Sequence, residues 1–287
     1  MKSLREVLSG VEKGRAIGHF NVSNLEMLHG VVAAAKSLNL PVIVGVSEGE
    51  REAMGLAEVV ALVKTLRESD GLEIFLNADH TSSLDKAKEA IEAGFDAVLA
   101  DGSKMSWEDN LKFTKEVITA AKASGRDILI EGELGQIGSG SEVRDEIAID
   151  LRHVPLTTPE QAAEFVKATG VDLLAPAVGN FHGMLRSGLD PDLNIELVKQ
   201  IAESAGVPLV LHGASGNSDA DVRAAIEAGV KIVHVSTELR VAYRDALKLS
   251  LADNPDEAAP YKFSRPAIQA VQKLVEKKLR LFTGAQI

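Results

Sequence analysis

Three histidines stand where they could act together: His80 in Asn77-Ala78-Asp79-His80, His182 in Gly179-Asn180-Phe181-His182-Gly183, and His212 in Leu209-Val210-Leu211-His212-Gly213. Each lies at, or just past, the end of a short apolar run that reads as a buried strand. Imidazoles converging from separate strands are what a catalytic zinc site with an open fourth position requires. Asp79 beside His80 places a carboxylate next to that Lewis acid, as general acid/base work needs. The same Asp-His-Thr-Ser-Ser segment also reads as a helix start, with Asp79 as a cap and His80 as an exposed rim residue.

Further polar residues fall on the same strand ends. Asp101 closes Ala100-Asp101-Gly102-Ser103, and Glu131 and Glu133 stand two apart in Ile130-Glu131-Gly132-Glu133-Leu134-Gly135, hence on one strand face. Buried carboxylates need partners, so these read either as salt bridges to a barrel cation or as support and alternative ligands for a metal. Gly213-Ala214-Ser215-Gly216 turns into the helix cap Asn217-Ser218-Asp219, and His234-Val235-Ser236-Thr237 leaves another strand. Loops of this kind offer N–H groups to an anion, although many simply turn. Of the remaining histidines, His29 and His153 read as structural or surface residues, and His19 as a candidate for a barrel interior.

The elements that must position these groups alternate along the chain. Apolar runs at Ile17–Val22, Pro41–Val46, Glu73–Ala78, Asp96–Ala100, Ile128–Gly132, Val171–Val178, Val207–Leu211 and Lys231–Val235 predict eight strands. Segments such as Leu25–Leu38, Met54–Glu68, Ser83–Ala93 and Pro159–Ala168 carry helical spacing between them. Strands apolar on both faces belong to a parallel sheet covered by helices. Ala90-Ile91-Glu92-Ala93-Gly94 recurs as Ala225-Ile226-Glu227-Ala228-Gly229, with looser copies ending at Gly170 and Gly206. In each, a helix ends on glycine and a strand follows. Asp101, His212 and Ser236 come at a similar distance past three of these glycines, which sets them on one rim. The expected fold is a (β/α)8 TIM barrel forming a single domain over residues 1–287, with residues 258–287 as a C-terminal helical extension. A doubly wound open sheet is the alternative.

Composition removes several classes of function. There is no cysteine among 287 residues, so thiolate metal sites, disulfides and cysteine nucleophiles are excluded. A net charge of −11 with 4% aromatics argues against a nucleic-acid partner. The polar start Met1-Lys2-Ser3-Leu4-Arg5-Glu6-Val7-Leu8 is no signal peptide, and no apolar run approaches membrane length; a cytoplasmic protein is expected.

Taken in order, Gly18-His19-Phe20-Asn21-Val22, Val46-Ser47-Glu48-Gly49, Ala78-Asp79-His80, Ala100-Asp101-Gly102-Ser103, Glu131–Gly135, Gly179–Gly183, Leu211–Gly216 and Ser236-Thr237-Glu238-Leu239 span nearly the whole chain. Together they resemble the class II, metal-dependent ketose-bisphosphate aldolases. The resemblance implies His80, His182 and His212 as Zn2+ ligands, Asp101 and Glu133 at a second or displaced metal position, and Asp79 as the group moving the C4 hydroxyl proton. It places dihydroxyacetone phosphate at Gly183, Gly213, Ala214, Ser215, His234, Val235, Ser236 and Thr237, beside a monovalent cation (Na+ or K+), and the other phosphate near Ser47. Cleavage of fructose 1,6-bisphosphate to dihydroxyacetone phosphate and glyceraldehyde 3-phosphate, a glycolytic reaction, would run through a zinc-stabilised enediolate in a homodimer or homotetramer. Two departures stand out. The family's lid glutamate falls at Ser141, with Glu142 one residue on as its candidate replacement, and His234 occupies the place of a usual asparagine.

Tagatose 1,6-bisphosphate is the rival substrate. A Schiff-base aldolase would need a barrel lysine, but Lys231 begins its strand at the wrong end and Lys104 lies in a loop beyond Asp101. A sugar-phosphate isomerase or epimerase using the same metal, and a metal-stabilised binding protein, complete the alternatives.

Overall fold

The computed structural model describes residues 2–137, 140, 142–146, 155–187 and 190–285. Eight parallel strands close into a barrel: β1 (Ile17–Asn21), β2 (Val42–Val46), β3 (Ile74–Thr81), β4 (Ala97–Ala100), β5 (Leu129–Leu134), β7 (Leu173–Pro176), β9 (Leu209–Leu211) and β10 (Val230–Val235). Closure between β1 and β10 rules out the open doubly wound sheet. All eight expected runs become strands, with shifted ends. The fifth runs on to Leu134 and so carries Glu133, and the third runs on to Thr81. One small feature had no sequence signal: β6 (Val143–Arg144) pairs with β8 (Met184–Leu185), outside the barrel. The tail forms two helices, α11 (Pro260–Phe263) and α12 (Arg265–Thr283).

Strand alternation sorts the side chains. One set of residues, Phe20, Val44, Leu76, Val98, Ile130, Leu174, Leu211 and Val233, faces outward into the layer shared with the helices. The other set faces inward in tiers. The lowest tier is apolar, with Ile17, Ile43, Phe75, Ala97, Leu129, Leu173, Val210 and Ile232 contributed one per strand. It is plugged by Leu4, Val7 and Leu8 of α1 (Leu4–Ser9), whose start is fixed by a Ser3–Glu6 capping box. Two residues further along each strand the interior turns polar, at His19, Asn77, Glu131, His212 and His234, all buried. Two further on come Asn21, Asp79 and Glu133, also buried, and Asp101. The chemistry therefore occupies the upper half of a barrel whose lower half is hydrocarbon.

His19 and His234 are register partners on β1 and β10, and their rings stack with centroids 3.4 Å apart. Gly45, on the neighbouring β2, makes room for the pair, since a Cβ there would fall inside the His19 imidazole. The last helix, α12, buries Val271, Val275, Leu279 and Phe282 and seats against α2 (Leu25–Leu38), where Gly30 admits Val271 at 2.8 Å from a would-be Cβ. Among the described residues no helix is long and apolar enough to cross a membrane.

Gly45→Ala should destabilise the fold by about 1–3 kcal/mol through overpacking. Chemical denaturation checks this, and the loss should shrink when His19→Ala is added, because the two side chains compete for one space.

Candidate active site

A cavity of about 400 Å³ opens at the C-terminal ends of the strands. Its wall includes Ser47, Asp79, His80, Asp101, His182, Gly183, His212, Gly213, Ser215, His234, Ser236 and Thr237, each anticipated from sequence. Asn21, Glu48, Ser82, Ser103, Lys104 and Arg240 complete much of the rest.

Alternation alone would turn His80 away from Asp79. Here the ladder between β3 and β4 shifts register between Ala78 and Thr81, and His80 takes a left-handed φ of 44°. That local irregularity, costly for a non-glycine residue, lets both neighbours line the cavity. The helix-cap alternative does not hold, because Ser83 caps α5 (Leu84–Ala93). His80, His182 and His212 converge, with ring centroids 4.6, 5.2 and 5.6 Å apart. Together with Glu133 they offer four donor atoms within 4.8 Å of one another.

Each imidazole is held by its unused edge or left open. His80 Nδ1 lies 2.8 Å from Asp101 Oδ2, while Asp101 Oδ1 accepts from the Ser103 amide and hydroxyl. Both Asp101 oxygens are thus engaged, and Asp101 falls outside the donor cluster. In this arrangement Asp101 braces His80, the supporting one of the two readings its position allowed. His212 Nε2 lies 2.8 Å from Glu131 Oε1 in a fully buried pair, which leaves His212 Nδ1 without a partner. His182 Nε2 and Glu133 Oε2 are likewise buried and unpartnered.

The electrostatics follow from this packing. Burial opposes a charge on His80, but Asp79, Asp101 and Glu133 outweigh it and push the imidazole up to about 10. Burial raises Glu133 to about 7 despite His80 nearby. Desolvation drives His19 down to about 3 and holds His182 and His234 well below the usual histidine range. Burial likewise disfavours the Asp79 charge, yet His80, His19, His212 and a hydrogen bond from Asn21 hold its carboxyl far below the usual carboxylate range. Asp79 Oδ2 accepts from Asn21 Nδ2 at 2.9 Å, and Oδ1 has no hydrogen-bond partner.

The opposite wall is built from loop ends. Gly213 and Gly183 adopt φ of 65° and 102°, and a Cβ on Gly213 would strike the Phe181 carbonyl. Ser215 Oγ accepts from the Ser236 and Glu238 amides at 3.3 Å, joining the turn after β9 to the start of α10 (Thr237–Asp253). Ser236, at that N-cap, makes no side-chain cap. Of the anticipated substrate-binding positions, two do not line the cavity: Ala214 is buried behind the turn, and Val235 faces the helical layer by alternation.

Glu142 immediately precedes β6. Its side chain is 77% exposed, 3.7 Å from Arg144, and it does not line the cavity. Its neighbour Ser141 and the surface candidate His153 lie outside the described residues. Lys231 Nζ donates to the Val11 and Glu12 carbonyls at the closed end of the barrel, far from any Schiff-base role. Lys104, by contrast, reaches the cavity wall.

Sequence reasoning missed a supporting lattice. Arg51 is buried and donates to the Val46 and Asp79 carbonyls and to Thr81 Oγ1, tying β2 to the irregular end of β3. Glu50 accepts from Asn21, Ser23, the Ser47 amide and Arg240, with Arg240 Nη2 at 2.5 Å. The run Glu48-Gly49-Glu50-Arg51-Glu52 reads as a solvated helix turn, so nothing in it announces burial. Asn21 could have been found, because it ends its strand on the same rim as Asp79 and Asp101.

Comparison with known proteins agrees with this geometry. A model for the family described as "Fructose-bisphosphate aldolase class-II" matches residues 2–286. A probable fructose-bisphosphate aldolase of Bacillus subtilis is 37% identical over 284 residues, covering 98% of this chain and 96% of its own. The D-tagatose-1,6-bisphosphate aldolase subunit GatY of Klebsiella oxytoca is 35% identical over 281 residues, with the same coverage of 98% and 96%. Among solved structures, the YdjI aldolase from Escherichia coli K12 superposes with a TM-score of 0.78 at 34% identity, over 94% of this chain and 92% of that one. The chain belongs to the class II fructose-bisphosphate aldolase family, whose members are carbon–carbon lyases.

Proposed function

We propose that the protein is a zinc-dependent aldolase that reversibly cleaves fructose 1,6-bisphosphate to dihydroxyacetone phosphate and glyceraldehyde 3-phosphate. The observation that carries this is the open Oδ1 of Asp79 beside three converging imidazoles, two of which keep a buried, unpartnered nitrogen. Such a donor set suits Zn2+: imidazole nitrogens, no thiolate, and a carboxylate brace on His80 of the kind that orients ligating histidines. His80, His182 and His212 would hold the ion, with Glu133 as a further donor at a second position. When bound, the metal supplies an electrophile for the charge left by C3–C4 cleavage.

The chain's own residues do the rest. Asp79 Oδ1 takes the C4 hydroxyl proton in cleavage and returns it in condensation, while Asn21 fixes its other oxygen. The uncapped start of α10, with Gly183, Gly213, Ser215, Ser236 and Thr237 around it, receives the phosphate of the dihydroxyacetone half, where a monovalent cation would further offset charge. Lys104 and Arg240 give an otherwise acidic chain its lysine and arginine at the wall. Ser47 sits on the other side of Arg240's partner Glu50, near where the second phosphate would lie. His234 presents an imidazole where the sugar chain passes. The exposed Glu142 can serve as the C3 proton carrier only after its loop moves inward. Tagatose 1,6-bisphosphate remains the second reading, favoured by the name of the Klebsiella oxytoca relative.

A metal-controlled assay decides the central claim. Chelation should abolish triose phosphate formation from both bisphosphates and zinc should restore it; no product with zinc restored would sink the proposal. Asp79→Asn should lower kcat by about 10²–10⁴-fold with zinc content unchanged. Asp101→Asn should weaken zinc binding by about 10–100-fold, measured by competition with a chelating dye. Because His80 carries a raised pKa of about 10 in the metal-free protein, zinc binding must expel its proton. Calorimetry in buffers of different ionisation enthalpy should therefore show proton release, and affinity should rise with pH between 6 and about 9.

A further inference from the structure

Beneath the three converging histidines lies a second cluster, in which His19, unused by the proposed reaction, joins Asp79 and His234. His19, Asp79 and His234 present one donor atom each, all within 4.8 Å of one another, and all three side chains are buried. His19 has neither ring nitrogen hydrogen-bonded, and His234 Nε2 and Asp79 Oδ1 are also without partners. Leaving so many buried polar atoms unsatisfied is costly. Nothing apolar about the catalytic half demands histidine at position 19, where a small aliphatic side chain would fit beside Gly45 without that cost.

We propose that His19, Asp79 and His234 form a second site for a borderline divalent cation such as Zn2+, and that its occupation switches the aldolase off. Two imidazoles and one carboxylate suit first-row transition ions and Zn2+ and disfavour Mg2+ and Ca2+. His234 Nδ1 stands 3.7 Å from Asp79 Oδ1, too far for a hydrogen bond. Around an ion with bonds of about 2.0–2.2 Å, neighbouring donors sit roughly 3.3–3.6 Å apart, so that gap is close to a shared-ligand spacing. A turn of the His19 ring, out of its stack on His234, brings the third donor.

The inhibitory sense follows from Asp79. Its Oδ2 is held by Asn21, so Oδ1 is the oxygen left for the C4 hydroxyl proton. An ion on Oδ1 removes that acceptor without touching His80, His182 or His212. Zinc would then activate at low concentration through one set of histidines and inhibit at higher concentration through the other. The inhibitory sense rests on the aldolase reading, whereas the existence of the site does not.

The test uses the full-length protein, with His19→Phe, which keeps a ring stacked on His234 but removes both nitrogens, and His19→Leu as a smaller alternative. Thermal melts confirm that the variants fold. After equilibration with graded zinc and removal of free ion, elemental analysis should find one zinc fewer per chain in the His19 variants than in the wild type. His182→Ala should retain an ion that His182→Ala/His19→Phe loses. Crystals soaked in excess zinc should show anomalous density between Asp79 and His234. In turnover, with each protein measured against its own maximal rate, the His19 variants should need at least tenfold more zinc for half-inhibition than the wild type. Equal zinc content in wild type and His19 variants, or no anomalous density at that position, overturns the proposal. If the zinc counts come out as expected but no bisphosphate is cleaved, the site stands and the aldolase reading fails.

Discussion

Every inward-pointing side chain of a closed parallel barrel must find its partners inside the barrel, because no edge strand and little water are at hand to supply them. In this chain that constraint bears on an interior tier containing three histidines, an asparagine and a glutamate. The Glu131–His212 pair is its anchor. Both side chains are fully buried, and removing one partner of such a pair costs about 3–5 kcal/mol. Holding His212 by Nε2 fixes the ring so that Nδ1 faces the other imidazoles. The apolar tier below, plugged by α1, gives the polar tier a rigid floor. The functional residues above are oriented by what lies beneath them.

Charge is then distributed by contrast. Asp79 and Glu133 are both buried carboxylates at inward positions of β3 and β5, yet one is held ionised and the other is raised to about 7. Burial raises both, but at Asp79 it is outweighed by His80, His19, His212 and an asparagine amide, whereas at Glu133 the pull of His80 and His212 is opposed by Asp101 and Glu131. Carboxylates whose environments push them apart are how one site holds an acid and a base together. The lattice of Glu50, Arg51 and Arg240 keeps this arrangement aligned from outside. Arg51 in particular stabilises the strand end where His80 departs from extended backbone.

Much of this was legible in the residues. Continuous apolar runs and glycine-ended helices were enough to place eight strands and one catalytic rim, because both signals are local. His80, His182 and His212 could be grouped because strand ends of a parallel barrel share a face. Asp101 could be placed on the rim but not given its hydrogen-bond partners, since sequence does not show that Ser103 and His80 both reach its oxygens. Glu142 was a matter of register in a loop, and loop geometry has no periodicity to read. Arg51 was invisible because a buried guanidinium and an exposed one look alike until the carbonyls it binds are in place. The stacking of His19 on His234 depends on which strands close the barrel, a pairing between the two ends of the chain.

The short β6–β8 ladder joins two loops with different work. The Met184 amide donates to the Glu142 carbonyl, the Arg186 amide to the Arg144 carbonyl, and the His182 amide to the Ile137 carbonyl. The segment bearing Glu142 is thereby stitched to the segment bearing His182. Any travel that carries Glu142 toward the cavity pulls on the backbone of a histidine that would grip the metal. On the proposed reading, a substitution that changes how far Glu142 reaches would also displace the His182 imidazole, because one ladder carries both segments.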